Sequence, residues 1–168
     1  PNSQQHKLRG HPIRGKDIES GKILTAWWEP NAKYEWDTGV AMGQYLAGLK
    51  EGNLLGVKCG SCRRRLIPPR AFCEQCFVPI HEWIEFPGTG TVNTYSVTYM
   101  KWDRSTVEHP TIPAVIEIDG AEPGYGIMHI LGEVDPKEIK IGMRVTACWK
   151  PAAEREGSVT DIVYFKPF

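Results

Sequence analysis

Two pairs of cysteines carry the clearest chemistry in the chain. Cys59-Gly60-Ser61-Cys62 and Cys73-Glu74-Gln75-Cys76 each hold two thiols across a two-residue gap, with ten residues between the pairs. Such a gap lets one tight turn aim both sulfurs at a single ion, and two such knuckles complete a tetrahedral thiolate site. The intervening Arg63-Arg64-Arg65-Leu66-Ile67-Pro68-Pro69-Arg70 is long enough for a short hairpin that brings the knuckles together. The expectation is structural zinc on Cys59, Cys62, Cys73 and Cys76, with iron as the alternative because tetrahedral sulfur suits both metals. Four thiolates leave no open coordination position, so such a metal would hold structure rather than perform chemistry.

The rest of the chain offers little that reads as catalytic. Cys148 sits in a strand-like run, Val145-Thr146-Ala147-Cys148-Trp149, where a small buried hydrophobe is the expected role rather than a nucleophile. The histidines stand scattered at 6, 11, 81, 109 and 129. There is no H-E-x-x-H, G-x-S-x-G, P-loop or G-x-G-x-x-G motif, and Gly88-Thr89-Gly90 reads as a turn entering a strand. No catalytic residue is assigned. Arg63, Arg64, Arg65 and Arg70 form a basic cluster around the knuckles, and the guanidinium fork matches phosphate oxygens. Pairing with acidic neighbours is the other role open to them.

The elements that must hold these groups are short. With 168 residues, 41% apolar and 24% charged, the composition excludes a largely disordered, collagenous or fibrous chain, and thirteen prolines with seventeen glycines imply many turns. A helix is expected from Asp37 or Thr38 to Gly52-Asn53, with Ala41, Tyr45 and Leu49 on one face joined by Val40 and Leu46. Strands are expected at 90–100, 113–119, 125–131, 144–149 and 159–165, five short runs with turn signals between them. That count fits a five-stranded OB-type barrel, and a sandwich fits nearly as well. The fold class is therefore mainly β: an N-terminal arm and helix over 1–56, a rubredoxin-like zinc ribbon over 57–80, and an OB-fold domain over 81–168. In the arm, Trp27, Trp28, Tyr34 and Trp36 crowd together without a sustained period, as in a segment lying across this domain or across a partner.

Charge cancels overall but not locally: residues 1–58 carry +2, 59–76 carry +3 and 77–168 carry −5. An acidic barrel half disfavours a phosphate backbone, although zinc ribbons joined to OB barrels commonly bind single-stranded nucleic acid, which stays as the competing class. No apolar run reaches the ~18–20 residues of a membrane span, and the first residues lack the apolar stretch of a secretory leader, so a soluble cytoplasmic protein with no membrane partner is expected.

In combination these features resemble the acyl-CoA-associated zinc-ribbon/OB-fold family, long known only as a domain of unknown function. The resemblance covers about residues 44–168. It is carried by the knuckles with Pro68-Pro69-Arg70, Trp83, Gly88-Thr89-Gly90-Thr91-Val92, Tyr95-Ser96-Val97-Thr98, Pro113-Ala114-Val115-Ile116, Ile141-Gly142-Met143-Arg144-Val145 and the closing Phe165-Lys166-Pro167-Phe168. It departs from the family at Arg63 and Glu74, where Gly and Pro are common. The resemblance implies a non-catalytic accessory subunit in a hetero-oligomer with a thiolase-superfamily catalytic subunit, with a coenzyme A thioester as ligand of the complex. It also implies that Arg63, Arg64, Arg65 and Arg70 guide the CoA phosphates. Among such assemblies the benzoylsuccinyl-CoA thiolase of anaerobic toluene breakdown, whose zinc subunit is small, is the one the chain looks most like.

Overall fold

The computed structural model describes residues 10, 12–26, 28–35, 37–101 and 103–168, so Trp27, Trp36, His6 and His11 lie outside the described residues. The chain divides into two compact units, residues 1–36 and 37–168. Among its described residues the first holds one short helix, α1 (Gly15–Glu19), with no buried residue, and its Trp28 and Tyr34 are exposed.

The second unit opens with α2 (Gly39–Glu51). The Asp37 carboxylate accepts from the Gly39 backbone N–H at 2.5 Å and starts it. Gly52 ends it at φ 84°, a left-handed turn that side-chain-bearing residues resist. Tyr45 and Leu49 are buried from this helix as their spacing predicts, whereas Val40, in the first turn, is 83% exposed. Then come β1 (Leu54–Lys58), β2 (Arg65–Leu66) and β3 (Glu82–Phe86), an antiparallel sheet in the order β2-β1-β3. The remaining strands are β4 (Thr89–Tyr95), β5 (Thr98–Met100), β6 (Thr106–Thr111), β7 (Pro113–Ile118), β8 (Gly126–Ile130), β9 (Arg144–Trp149) and β10 (Ile162–Pro167).

Five of these form one antiparallel sheet in the order β10-β9-β4-β7-β8. Its two edges meet where Leu131 bridges Phe165 in parallel sense, and the Gly132 N–H donates to the Phe165 carbonyl at 2.9 Å. Meandering strands closed by a parallel contact between the third and the fifth make a five-stranded OB barrel, so the sandwich alternative falls away. Strict alternation in β7 sends Ala114, Ile116 and Ile118 inward. They meet Val92, Ile127, Val145, Ile162 and Phe165 in one core that also takes Tyr45 and Leu49. Gly126 has no room for a side chain: a Cβ there would sit 2.1 Å from the Ile116 carbonyl oxygen.

Two expected strands differ. The run 90–100 is not one strand, because β4 stops at Tyr95, whose hydroxyl donates to the Ile139 carbonyl at 2.9 Å. The chain then leaves the barrel as the β5–β6 hairpin. At the other end, 159–161 form a 3-10 turn instead of strand. Fully buried Asp161 holds it, accepting from the backbone N–H groups of Glu156, Gly157 and Ser158 at 3.1, 2.7 and 3.0 Å. Burial alone would push its carboxyl up, but those donors hold it below the usual range. Among the described residues no helix is long and apolar enough to cross a membrane.

Candidate metal centre

The two knuckles are copies of one turn. The Arg63 N–H donates to the Cys59 carbonyl at 2.9 Å and the Cys59 N–H to the Arg64 carbonyl at 2.9 Å; Phe77, Cys73 and Val78 repeat the pattern at 2.8 and 2.9 Å. Arg63 and Phe77, the residues that follow each pair, both have positive φ, 67° and 52°. This is why glycine suits the position that Arg63 fills here.

These turns bring the four sulfurs within 4.8 Å of one another. Cys59 and Cys73 are buried and Cys62 and Cys76 half-buried. A tetrahedron of sulfurs ~2.3 Å from zinc has edges of about 3.8 Å. Cys62 Sγ and Cys73 Sγ lie 3.7 Å apart, a separation that suits a shared ion. The Cys62 backbone N–H, with further hydrogen bonds, draws the Cys59 thiol down, while burial and the three neighbouring sulfurs push the Cys62 thiol up, as expected where four thiols crowd one point. The donor set therefore fits structural zinc, which would supply the cross-link between two turns that have almost no core of their own. It is the one cluster among the described residues able to hold a metal.

The arginines around the knuckles are not equivalent. Arg64 is largely buried; it donates to Glu74 Oε1 at 2.7 Å and to the Tyr125 hydroxyl at 2.8 Å, and lies 3.6 Å from Glu122. Tyr125 in turn donates to the same Glu74 carboxylate. That bond, joined by Arg64, holds the Glu74 carboxyl at about 2 against the pull of burial. Arg70 shares Glu74 at 3.3 Å and stacks over Tyr125. Arg65 stacks over Phe86. Arg63 is exposed and forms no ion pair among the described residues. Glu74, Glu122 and Tyr125 thus tie the second knuckle to the β7–β8 turn; pairing of the arginines with an acidic neighbour is one of the two roles the sequence left open, whereas the Tyr125 link, 51 residues from Glu74, has no local signal.

The other candidates stay apart from this centre. Cys148 is half-buried in β9 opposite Tyr164, and burial pushes its thiol up, as for a packing residue. His81 and His109 are exposed, and the His129 ring meets the Val159 carbonyl at 3.2 Å.

Residues 46–82 match the family described as ChsH2, rubredoxin-like zinc ribbon domain, and residues 83–150 match ChsH2, C-terminal OB-fold domain. A DUF35 domain-containing scaffold protein of Methanocaldococcus jannaschii is 32% identical over 117 residues, 68% of this chain and 81% of the relative. One from Methanothermobacter thermautotrophicus is 29% identical over 118 residues, 68% of this chain and 86% of the relative. Two solved structures share the fold. A DUF35-family protein of unknown function from Sulfolobus solfataricus has TM-score 0.56 at 28% identity, covering 66% of this chain and 78% of that one. The Ltp2-ChsH2(DUF35) aldolase has TM-score 0.58 at 22% identity, covering 79% and 98%. The chain belongs to the DUF35 family of zinc-ribbon/OB-fold scaffold proteins.

Proposed function

We propose that this DUF35-family chain is an accessory subunit that docks on an acyl-CoA enzyme of thiolase-like fold and helps shape the entry for the CoA thioester. The observation that carries this reading is a metal-capable ribbon latched to a barrel, with the Arg64–Glu74–Tyr125, Arg144–Asp119 and Asp161 networks each tying structural elements together. The description of its relatives as scaffold proteins supports it, as does the solved aldolase in which a DUF35 domain accompanies Ltp2. Carbon–carbon bond cleavage in such complexes needs an activated nucleophile and an oxyanion hole, which the partner would supply. Within this class we assign the partner to the benzoylsuccinyl-CoA thiolase of anaerobic toluene breakdown, as the resemblance implies.

In this reading the ribbon ligands are Cys59, Cys62, Cys73 and Cys76, and CoA phosphates meet Arg63 and Arg65. Arg64 and Arg70, which also pair with Glu74, complete the same cluster. Replacing Arg63 and Arg65 together by alanine should weaken CoA-thioester binding by the complex about tenfold while leaving its metal content unchanged; unchanged affinity would remove both from the site. The decisive experiment is native mass spectrometry of tagged protein purified gently from its own source. Zinc with a thiolase-sized partner is the expected result. A zinc-loaded chain without a partner, or one carrying nucleic acid, would overturn the accessory role.

A further inference from the structure

OB barrels bind extended polymers on the face of their second and third strands, flanked by loops. In this barrel those strands are β7 and β8; two clefts there share Pro113 and Met128, and a smaller one of about 150 Å³ sets Met42 and Tyr45 of α2 against Gly126–His129. The largest, about 580 Å³, runs between β8 and β10, where Met128, Ile130, Val159 and Val163 line it and Met128 is 75% exposed. Single-strand binding needs cations along a groove and aromatic rings for the bases. Here the one cation in the lining is Lys150, 3.7 Å from Asp161. The one ring is His129, edge-on to Phe165. The cleft therefore presents almost no net charge, and a polyanion finds nothing to pair with.

The backbone narrows the occupant further. Over Gly126–Ile130, β8 pairs only with β7, and contact with β10 as a ladder is confined to the Leu131–Phe165 bridge. An irregularity in β10 between Ile162 and Tyr164 falls at Val163, on the wall of the cleft. Soluble proteins guard such edges with lysine, proline or charge. Gly126-Ile127-Met128-His129-Ile130 has none, whereas β6 carries Glu108 and Pro110 and β10 ends in Lys166-Pro167. A lipid or acyl chain would fill the apolar cleft but leave the strand's N–H and C=O groups unmatched. An uncharged extended peptide satisfies both demands, by the same physics as strand addition elsewhere.

We propose that the β8–β10 seam receives an extended, uncharged segment of the partner enzyme, which adds as a strand to β8 and sets apolar side chains around Met128. This rests on the accessory reading above and names the face by which it works. The test uses the full chain in its own source, with a benzoyl-phenylalanine photo-crosslinker in place of Thr160 in the seam, or of Asn93 or Glu154 as controls. The crosslinker at 160 should yield at least tenfold more partner adduct than the controls, mapped to one uncharged stretch of the partner. Met128→Lys should cut recovered partner at least tenfold with zinc content and melting unchanged. Undiminished partner with Met128→Lys, adducts from the control positions, or adducts to a second copy or to a lipid would overturn the seam while the accessory role stands. Absence of any partner from the unsubstituted protein would overturn both.

Discussion

Arg63 shows how one residue sits between conformation and function. Its φ of 67° costs a residue with a Cβ roughly 1–2 kcal/mol relative to the right-handed region, and glycine nothing comparable. The turn exists because the two pairs of thiols must converge, so the strain is imposed by the site, and Arg63 forms no ion pair among the described residues to offset it. Arg63→Gly should therefore stabilise the metal-loaded protein by about 1 kcal/mol, read as a raised melting temperature. A lowered one would mean that the arginine side chain holds the knuckle in some other way. The same substitution removes a cation proposed to meet CoA, so a gain in stability accompanied by a loss in affinity would explain why a strained residue stands there.

Between elements, two polar clusters fix how strands meet. Thr89, Asp119 and Arg144 tie β4 and β9 to the end of β7, with Arg144 reaching both Asp119 oxygens at 2.6 and 2.5 Å and Thr89 donating at 2.5 Å. Arg144 in first place holds the Asp119 carboxyl at about 2, below its ordinary 3.8. A depressed folded value means stabilisation that is complete above pH 4 and is lost as pH falls toward 2. Asp119→Asn should cost at most about 1 kcal/mol at pH 6, since the pair is partly exposed, and the difference should shrink at pH 3 in urea unfolding. The second cluster is the Tyr125–Glu74–Arg64 latch. Tyr125→Phe removes the hydroxyl at the centre of it and should speed zinc transfer to a chelator several-fold with little change in secondary structure; an unchanged rate would reduce the latch to packing. Legibility from sequence follows the same line between local and distant. The knuckles, α2, β7, β8 and β9 were readable because spacing and alternation lie within a dozen residues. β3, Glu82-Trp83-Ile84-Glu85-Phe86, does not alternate strictly and β6 contains Pro110, so neither announces a strand. The latch and the seam depend on which strands become neighbours, and no local pattern carries that.

At the scale of the whole 37–168 unit, the question is whether the ribbon is an appendage or part of the barrel. Its private core is small: Val57, Cys59, Leu66, Cys73 and Ile80, of which two are thiols that the metal would claim. Yet Leu54, Ile67 and Phe86, from or beside the three-stranded sheet, are buried in the barrel core with Val92, Ile116 and Phe165. Metal loss would free the knuckles and, through the β1–β2 pairing beside them, loosen the sheet that places those three side chains. Losing even one large apolar side chain from such a core costs about 3 kcal/mol. Stripping the metal with a chelator should therefore lower the melting temperature of the barrel itself, in one transition followed at Trp and by circular dichroism, and re-addition of zinc should restore it. Two separate transitions, with the barrel melting where it did before, would show instead that the metal stabilises the ribbon alone.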